Sequence, residues 1–93
     1  MDINYMNILI NEHYTNFEQL KKLIISMNIT SGMDKNFCAH LAEKMLQQLE
    51  KGADMQKIQN IIESELCVGY GLYRNEFNSE KITNEIMYWW ESN

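Results

Sequence analysis

Proline is absent from the 93 residues, and glycine occurs only four times. Few positions can break a helix or demand a left-handed turn, so long helices with short connections are favoured over irregular structure. Cysteine is scarce: Cys38 and Cys67 are the only two. Both fall within helical apolar patterns, which predicts buried, reduced side chains. Basic residues are also in short supply. Eight lysines and arginines face thirteen acids, for a net charge of −5. That balance excludes the basic footprint of non-specific nucleic-acid binding and argues against an anionic membrane surface as partner. A negative field instead favours solubility and fast association with a basic partner. No apolar run approaches the roughly 20 residues of a membrane span. The Met1-Asp2-Ile3 opening lacks the basic start and long apolar run of a secretory signal. The cytoplasm is the expected compartment. Ile and Asn occur eleven times each, a bias that points to an AT-rich bacterial genome or mobile element.

What is present is helical periodicity over a length that suits one domain, residues 1–93. Ile3, Met6, Ile10, His13, Phe17, Leu20, Ile24 and Met27 recur at spacings of three and four, predicting a helix over about 3–27. Thr15 and Glu18 form a possible capping box, so a restart near Asn16 is the alternative. Asp34 is a good N-cap for a helix over about 34–51, whose face is Phe37, Cys38, Leu41, Ala42, Met45, Leu46 and Leu49 and whose end is marked by Gly52. Asp54 caps a third helix over about 54–68, with Gly69 and Gly71 stopping it. Asn78 or Ser79 caps a last helix over about 79–91, with Ile82, Ile86, Trp89 and Trp90 on its face and Phe77 as a preceding staple. The expected architecture is all-α, a small antiparallel four-helix bundle. A three-helix core with an appended short helix is the alternative.

No catalytic, cofactor or metal site is legible. His13 lies on the apolar stripe, where a hydrogen-bonded structural role is expected. His40 follows Cys38 at i,i+2, on a different helix face, so a nucleophile pair is not indicated. Two cysteines and two histidines lack the paired spacings of a zinc site. Gly69-Tyr70-Gly71 is too short for a phosphate-binding loop and lacks the lysine that follows one. A helix-turn-helix pivoting on Gly52 would present Asp54, Glu63 and Glu65 against Lys57 alone, and would repel DNA phosphates. The chain is expected not to be an enzyme and to bind neither nucleic acid nor membrane.

Charge and aromatic residues are unevenly distributed. Residues 54–93 hold seven acids against three bases, and six of the ten aromatic residues. Adjacent tryptophans sit about 100° apart on a helix, so Trp89 and Trp90 are not both expected to be fully buried. Tyrosine and tryptophan dominate binding energy at interfaces, and here they lie within a negative field. Glu63, Glu65, Tyr70, Tyr73, Glu76, Glu80 and Trp89 are therefore the candidate contacts to a basic protein partner. The plainer expectation is that the rings fill the core and that acids such as Glu80 complement helix dipoles.

A small, acidic, helical chain of this kind resembles the bacterial immunity proteins, including those against colicins and contact-dependent inhibition toxins. The string Gly71-Leu72-Tyr73-Arg74 is similar to one in some bacteriocin immunity proteins. The resemblance implies a stoichiometric toxin inhibitor or antitoxin, monomeric or homodimeric, that covers the active site of a basic cognate toxin such as a nuclease. In the nuclease-colicin branch two adjacent tyrosines followed by proline mark the binding site. Here Gly71 and Leu72 separate Tyr70 from Tyr73 and no proline follows, so binding residues do not transfer. Two other functions suit the same features: a phage or mobile-element inhibitor of a host nucleic-acid enzyme, and a helical homodimeric adaptor.

Overall fold

A computed structural model describes the backbone of residues 3–92 and the side chains of residues 12–92. Four helices run α1 (Ile3–Met27), α2 (Lys35–Glu50), α3 (Met55–Ser64) and α4 (Ser79–Ser92), with no strand among the described residues. A π turn, Glu65–Gly69, continues α3 directly, and a single 3-10 turn, Arg74–Glu76, precedes α4. α1 is unbroken through Thr15–Glu18, so the restart does not occur.

The helix boundaries follow from a few polar side chains. Asp34 accepts from the Asn36 amide at 2.9 Å, Asp54 from the Lys57 amide at 2.9 Å, and Asn78 from the Lys81 amide at 3.0 Å. Each satisfies an amide that the first helical turn would otherwise leave unpaired. α2 ends in a Schellman motif: Gly52 N–H donates to Leu49 O and Ala53 N–H to Gln48 O, both at 3.0 Å. The motif needs a left-handed residue, and Gly52 supplies it at φ +87°. Asn28 does the same at the end of α1, with φ 49°.

Long-range contacts fix the packing as up-down-up-down. His13, midway along α1, meets Glu43 and Glu50 on α2; Lys44 on α2 meets Glu65 after α3; Glu63 late in α3 meets Ser79 at the start of α4; Trp89 near the end of α4 meets Gln19 on α1. Each helix therefore packs antiparallel to its two neighbours. α1 is longer than α2 by nine residues, about 14 Å of helix at 1.5 Å per residue. That surplus lies at its N-terminal end, because His13 already reaches the last turn of α2. The Ile3, Met6 and Ile10 part of the stripe falls outside the residues whose side chains are described.

Among the described residues one continuous core contains fourteen buried apolar side chains, six of them on α2: Cys38, Leu41, Ala42, Met45, Leu46 and Leu49. The others are Leu20 and Ile24 from α1, Ile58 and Ile62 from α3, Leu66 from the π turn, and Ile82, Ile86 and Met87 from α4. Each large member contributes roughly 1.5–3 kcal/mol on burial. Cys38 is buried, as its position predicts, and desolvation pushes its thiol up from the ordinary value. Cys67 is only half-buried. Leu66 takes the inward position, and the next residue is rotated about 100° towards the edge.

The sequence pattern ends the third helix at residue 68, whereas the chain continues helically to Gly69 by widening into the π turn. Tyr70 N–H donates to Glu65 O at 3.0 Å and Leu72 N–H to Leu66 O at 2.9 Å. The Glu65 side chain passes close under Gly69, where a Cβ would stand 3.2 Å from its carboxylate. Any larger residue at 69 has to displace that carboxylate.

His13 is half-buried at the rim of the core. Its Nδ1 lies 2.9 Å from Glu50 and its Nε2 3.2 Å from Glu43. Carboxylates only accept, so both nitrogens must carry protons to satisfy both partners. The Glu50 hydrogen bond, followed by the charges of Glu50 and Glu43, outweighs desolvation and raises the His13 pKa above 6.5. A raised folded-state pKa gives stability that is complete below 6.5 and disappears as pH rises through the folded value. The urea midpoint should therefore fall between about pH 5.5 and about pH 8.5, and His13→Gln should flatten that dependence. An unchanged slope in the variant would contradict the bridge. Thr83 offers a second check. It is fully buried, and among the described residues its hydroxyl has no hydrogen-bond partner. Thr83→Val should stabilise the protein by about 1 kcal/mol, because it removes an unpaired buried polar group without changing shape. Destabilisation would show that the hydroxyl is bonded in solution.

Candidate functional site

The two cysteines and two histidines do not assemble. His40 faces Glu65 at 3.3 Å, and the raised thiol pKa of buried Cys38 is the opposite of an activated thiolate. Among the described residues no cluster of three or more His, Cys, Asp or Glu side chains can hold a metal ion.

The candidate contacts divide into two groups. Glu65 is turned inwards, its side chain only 12% exposed, with one oxygen on Lys44 and the other on His40. The Lys44 hydrogen bond holds its carboxyl below the ordinary value of 4.5. Glu63 accepts from the Ser79 hydroxyl at 2.8 Å and lies 3.9 Å from Arg74. The same hydroxyl takes a hydrogen bond from Gln59 at 3.2 Å, so this network ties the end of α3 to the first residue of α4. Tyr70 is half-buried. Its ring packs on Phe37 with centroids 4.7 Å apart, and its hydroxyl accepts from the Asp34 amide at 3.4 Å. These three residues hold helices together.

The others face outwards or straddle the surface. Tyr73 is 77% exposed, and Glu76, three residues on, is exposed while accepting from the Tyr73 amide at 2.7 Å. Glu80 is exposed in the first turn of α4. Trp89 and Trp90 are both half-buried, with ring centroids 5.9 Å apart, and the Trp89 indole N–H donates to Gln19 at 3.3 Å. As the 100° offset predicts, neither indole is fully sequestered.

One strongly exposed aromatic was not among the candidates. Tyr88 is 76% exposed. It lies on a stripe of exposed residues, Glu80, Asn84, Tyr88 and Glu91, which share about 80° of helix circumference. The stripe is opposite Ile82 and Ile86, both buried. The spacing of Tyr88 to Glu80 and Glu91 is the sequence signal for that exposure. Tyr73 and Glu76 are exposed in the turn that enters α4.

Beside this face, the end of α1 and the start of α4 enclose an open cleft of about 290 Å³. Met27, Ile29, Phe77 and Ile82 give it apolar walls, and Glu76, Glu85 and Lys81 stand among its charged lining. Phe77 and Ile82 occupy the N′ and N4 positions about the Asn78 cap, the arrangement of a hydrophobic staple.

The two kinds of carboxylate should separate in a stability measurement. Glu65→Gln should destabilise by about 1 kcal/mol, a figure already discounted for the half-exposed Lys44. Glu80→Gln should stay within about 0.5 kcal/mol. The depressed pKa of Glu65 means its contribution is complete above 4.5 and is lost as pH falls through the folded value, so the difference between the variants should vanish in acid. Equal effects at neutral pH would contradict the inward assignment of Glu65.

Comparison with protein families, with characterised proteins and with solved structures gives no match to this chain.

Proposed function

We propose that this chain is a stoichiometric protein-binding inhibitor of the immunity-protein or antitoxin type, which docks the outward face of α4 and the turn before it onto a basic toxin. The observation that supports this most is the exposed stripe of Glu80, Asn84, Tyr88 and Glu91, with Tyr73 and Glu76 also exposed in the turn that precedes α4. Two large rings, Tyr73 and Tyr88, stand in solvent with three exposed carboxylates, Glu76, Glu80 and Glu91, on a chain of net charge −5. Interfaces draw most of their affinity from such rings, and charged rims set encounter rate and partner choice. A twofold self-contact through this face would oppose like charges, which favours a basic partner over a second copy. Covering a toxin's basic active site or substrate groove requires no chemistry from the inhibitor, in keeping with the absence of a legible catalytic set.

The test is binding to the purified products of the genes that flank this one, measured by surface plasmon resonance at two salt concentrations. Tyr88→Ala should weaken binding by about 2 kcal/mol, roughly 30-fold, as loss of an aromatic anchor does. Glu80→Lys with Glu91→Lys should slow association and flatten its salt dependence. Glu63→Gln, on the opposite side of the Ser79 network, should leave the association rate unchanged. Unaltered affinity in the triple Tyr88, Glu80 and Glu91 variant would sink the proposal.

A further inference from the structure

The cleft between the end of α1 and the start of α4 is too small for a cofactor. Its volume of about 290 Å³ lies at the bottom of the roughly 300–1,000 Å³ range of small-molecule sites. It is of the size and character that suits one long side chain. Met27, Ile29 and Phe77 form apolar walls, and Glu76 and Glu85 supply two carboxylates against the single ammonium of Lys81. Among the described residues, no ion pair within 4.0 Å engages any of these three charges. One Glu76 oxygen takes the Tyr73 amide, and a carboxylate retains further acceptor sites after one such bond. The C-terminal end of α1 and the N-terminal end of α4 bring opposite partial charges to the cleft, so the side-chain carboxylates decide its sign.

We propose that this cleft receives an arginine side chain of the basic partner; this rests on the docking proposal above and names the residue type that the surface recognises. The methylenes of an arginine lie along apolar walls while its head group reaches the rim. The guanidinium is more weakly hydrated than an ammonium and matches a carboxylate with two parallel N–H donors, so arginine is preferred over lysine. Arginine is also among the residue types enriched at interface hot spots. The cleft adjoins the exposed face at Glu76, so an arginine seated there brings the partner's surface over Tyr73 and Glu80.

The test needs no partner. The whole protein is titrated with N-acetyl-arginine amide, N-acetyl-lysine amide and N-acetyl-norleucine amide, and methyl NMR shifts are followed at Met27, Ile29 and Ile82. The arginine amide should shift these methyls, leave Ile58 and Ile62 unmoved, and bind more tightly than either competitor. Glu85→Gln should weaken it about threefold, the scale of one exposed charge pair. Glu76→Gln, which keeps an acceptor for the Tyr73 amide, should do the same. Lys81→Gln should strengthen binding by a similar factor, so the proposal remains testable should either glutamate variant misfold. A response to the arginine amide no larger than to the lysine or norleucine amide, or one insensitive to all three substitutions, would overturn it. That result would leave the α4 face intact as a docking surface, whereas loss of the face would appear as unaltered toxin binding in the α4 variants.

Discussion

Burial of Ile82 and Ile86 in the common core fixes the rotation of α4 about its own axis, and the rest of the surface follows from that rotation. With those two isoleucines inward, Glu80, Asn84, Tyr88 and Glu91 must face water, because they lie on the far side of the same helix. Trp89 and Trp90 are then left at the flanks, each partly on the core and partly exposed. The start of the helix is held by three local devices: the Asn78 cap, the positions of Phe77 and Ile82 about it, and the Ser79 hydroxyl between Gln59 and Glu63. They leave little freedom for α4 to roll and bring a different face outwards.

The acids of the C-terminal half serve two purposes that net charge cannot distinguish. Glu63 and Glu65 are taken up by contacts between helices, each within reach of a cation from elsewhere in the chain. The outward acids are Glu76, Glu80 and Glu91. A negative field therefore remains on the α4 side, but it is carried by fewer carboxylates than the composition suggests. Tyr70 is divided from Tyr73 in the same way. The π turn lays Tyr70 on Phe37, while Tyr73, three residues later, stands in solvent.

Helix boundaries were legible because they are local. Asp34, Asp54 and Asn78 cap from within three residues, and Gly52 is the left-handed position of a Schellman motif. The antiparallel bundle follows from four apolar stripes and short links. The π turn left no compositional trace, since the same apolar run suits an α-helix, and it is the Tyr70 N–H to Glu65 O bond that distinguishes it. The engagement of Glu65 was equally invisible. Its partner Lys44 lies 21 residues away, and only the packing of α2 beside α3 brings them together. The exposure of Tyr88 was readable from the sequence, because Ile82 and Ile86 already mark the inward face and Tyr88 shares the opposite side with Glu80 and Glu91.

The rotation of α4 is open to direct measurement with a soluble paramagnetic agent, which relaxes protons according to their exposure. The account predicts strong relaxation of the Tyr73 and Tyr88 ring protons, little at the Ile82 and Ile86 methyls, and intermediate values at Trp89 and Trp90. Protection of Tyr88 equal to that of the isoleucines, with either indole fully exposed, would show that α4 presents another face and would contradict the recognition surface derived from it.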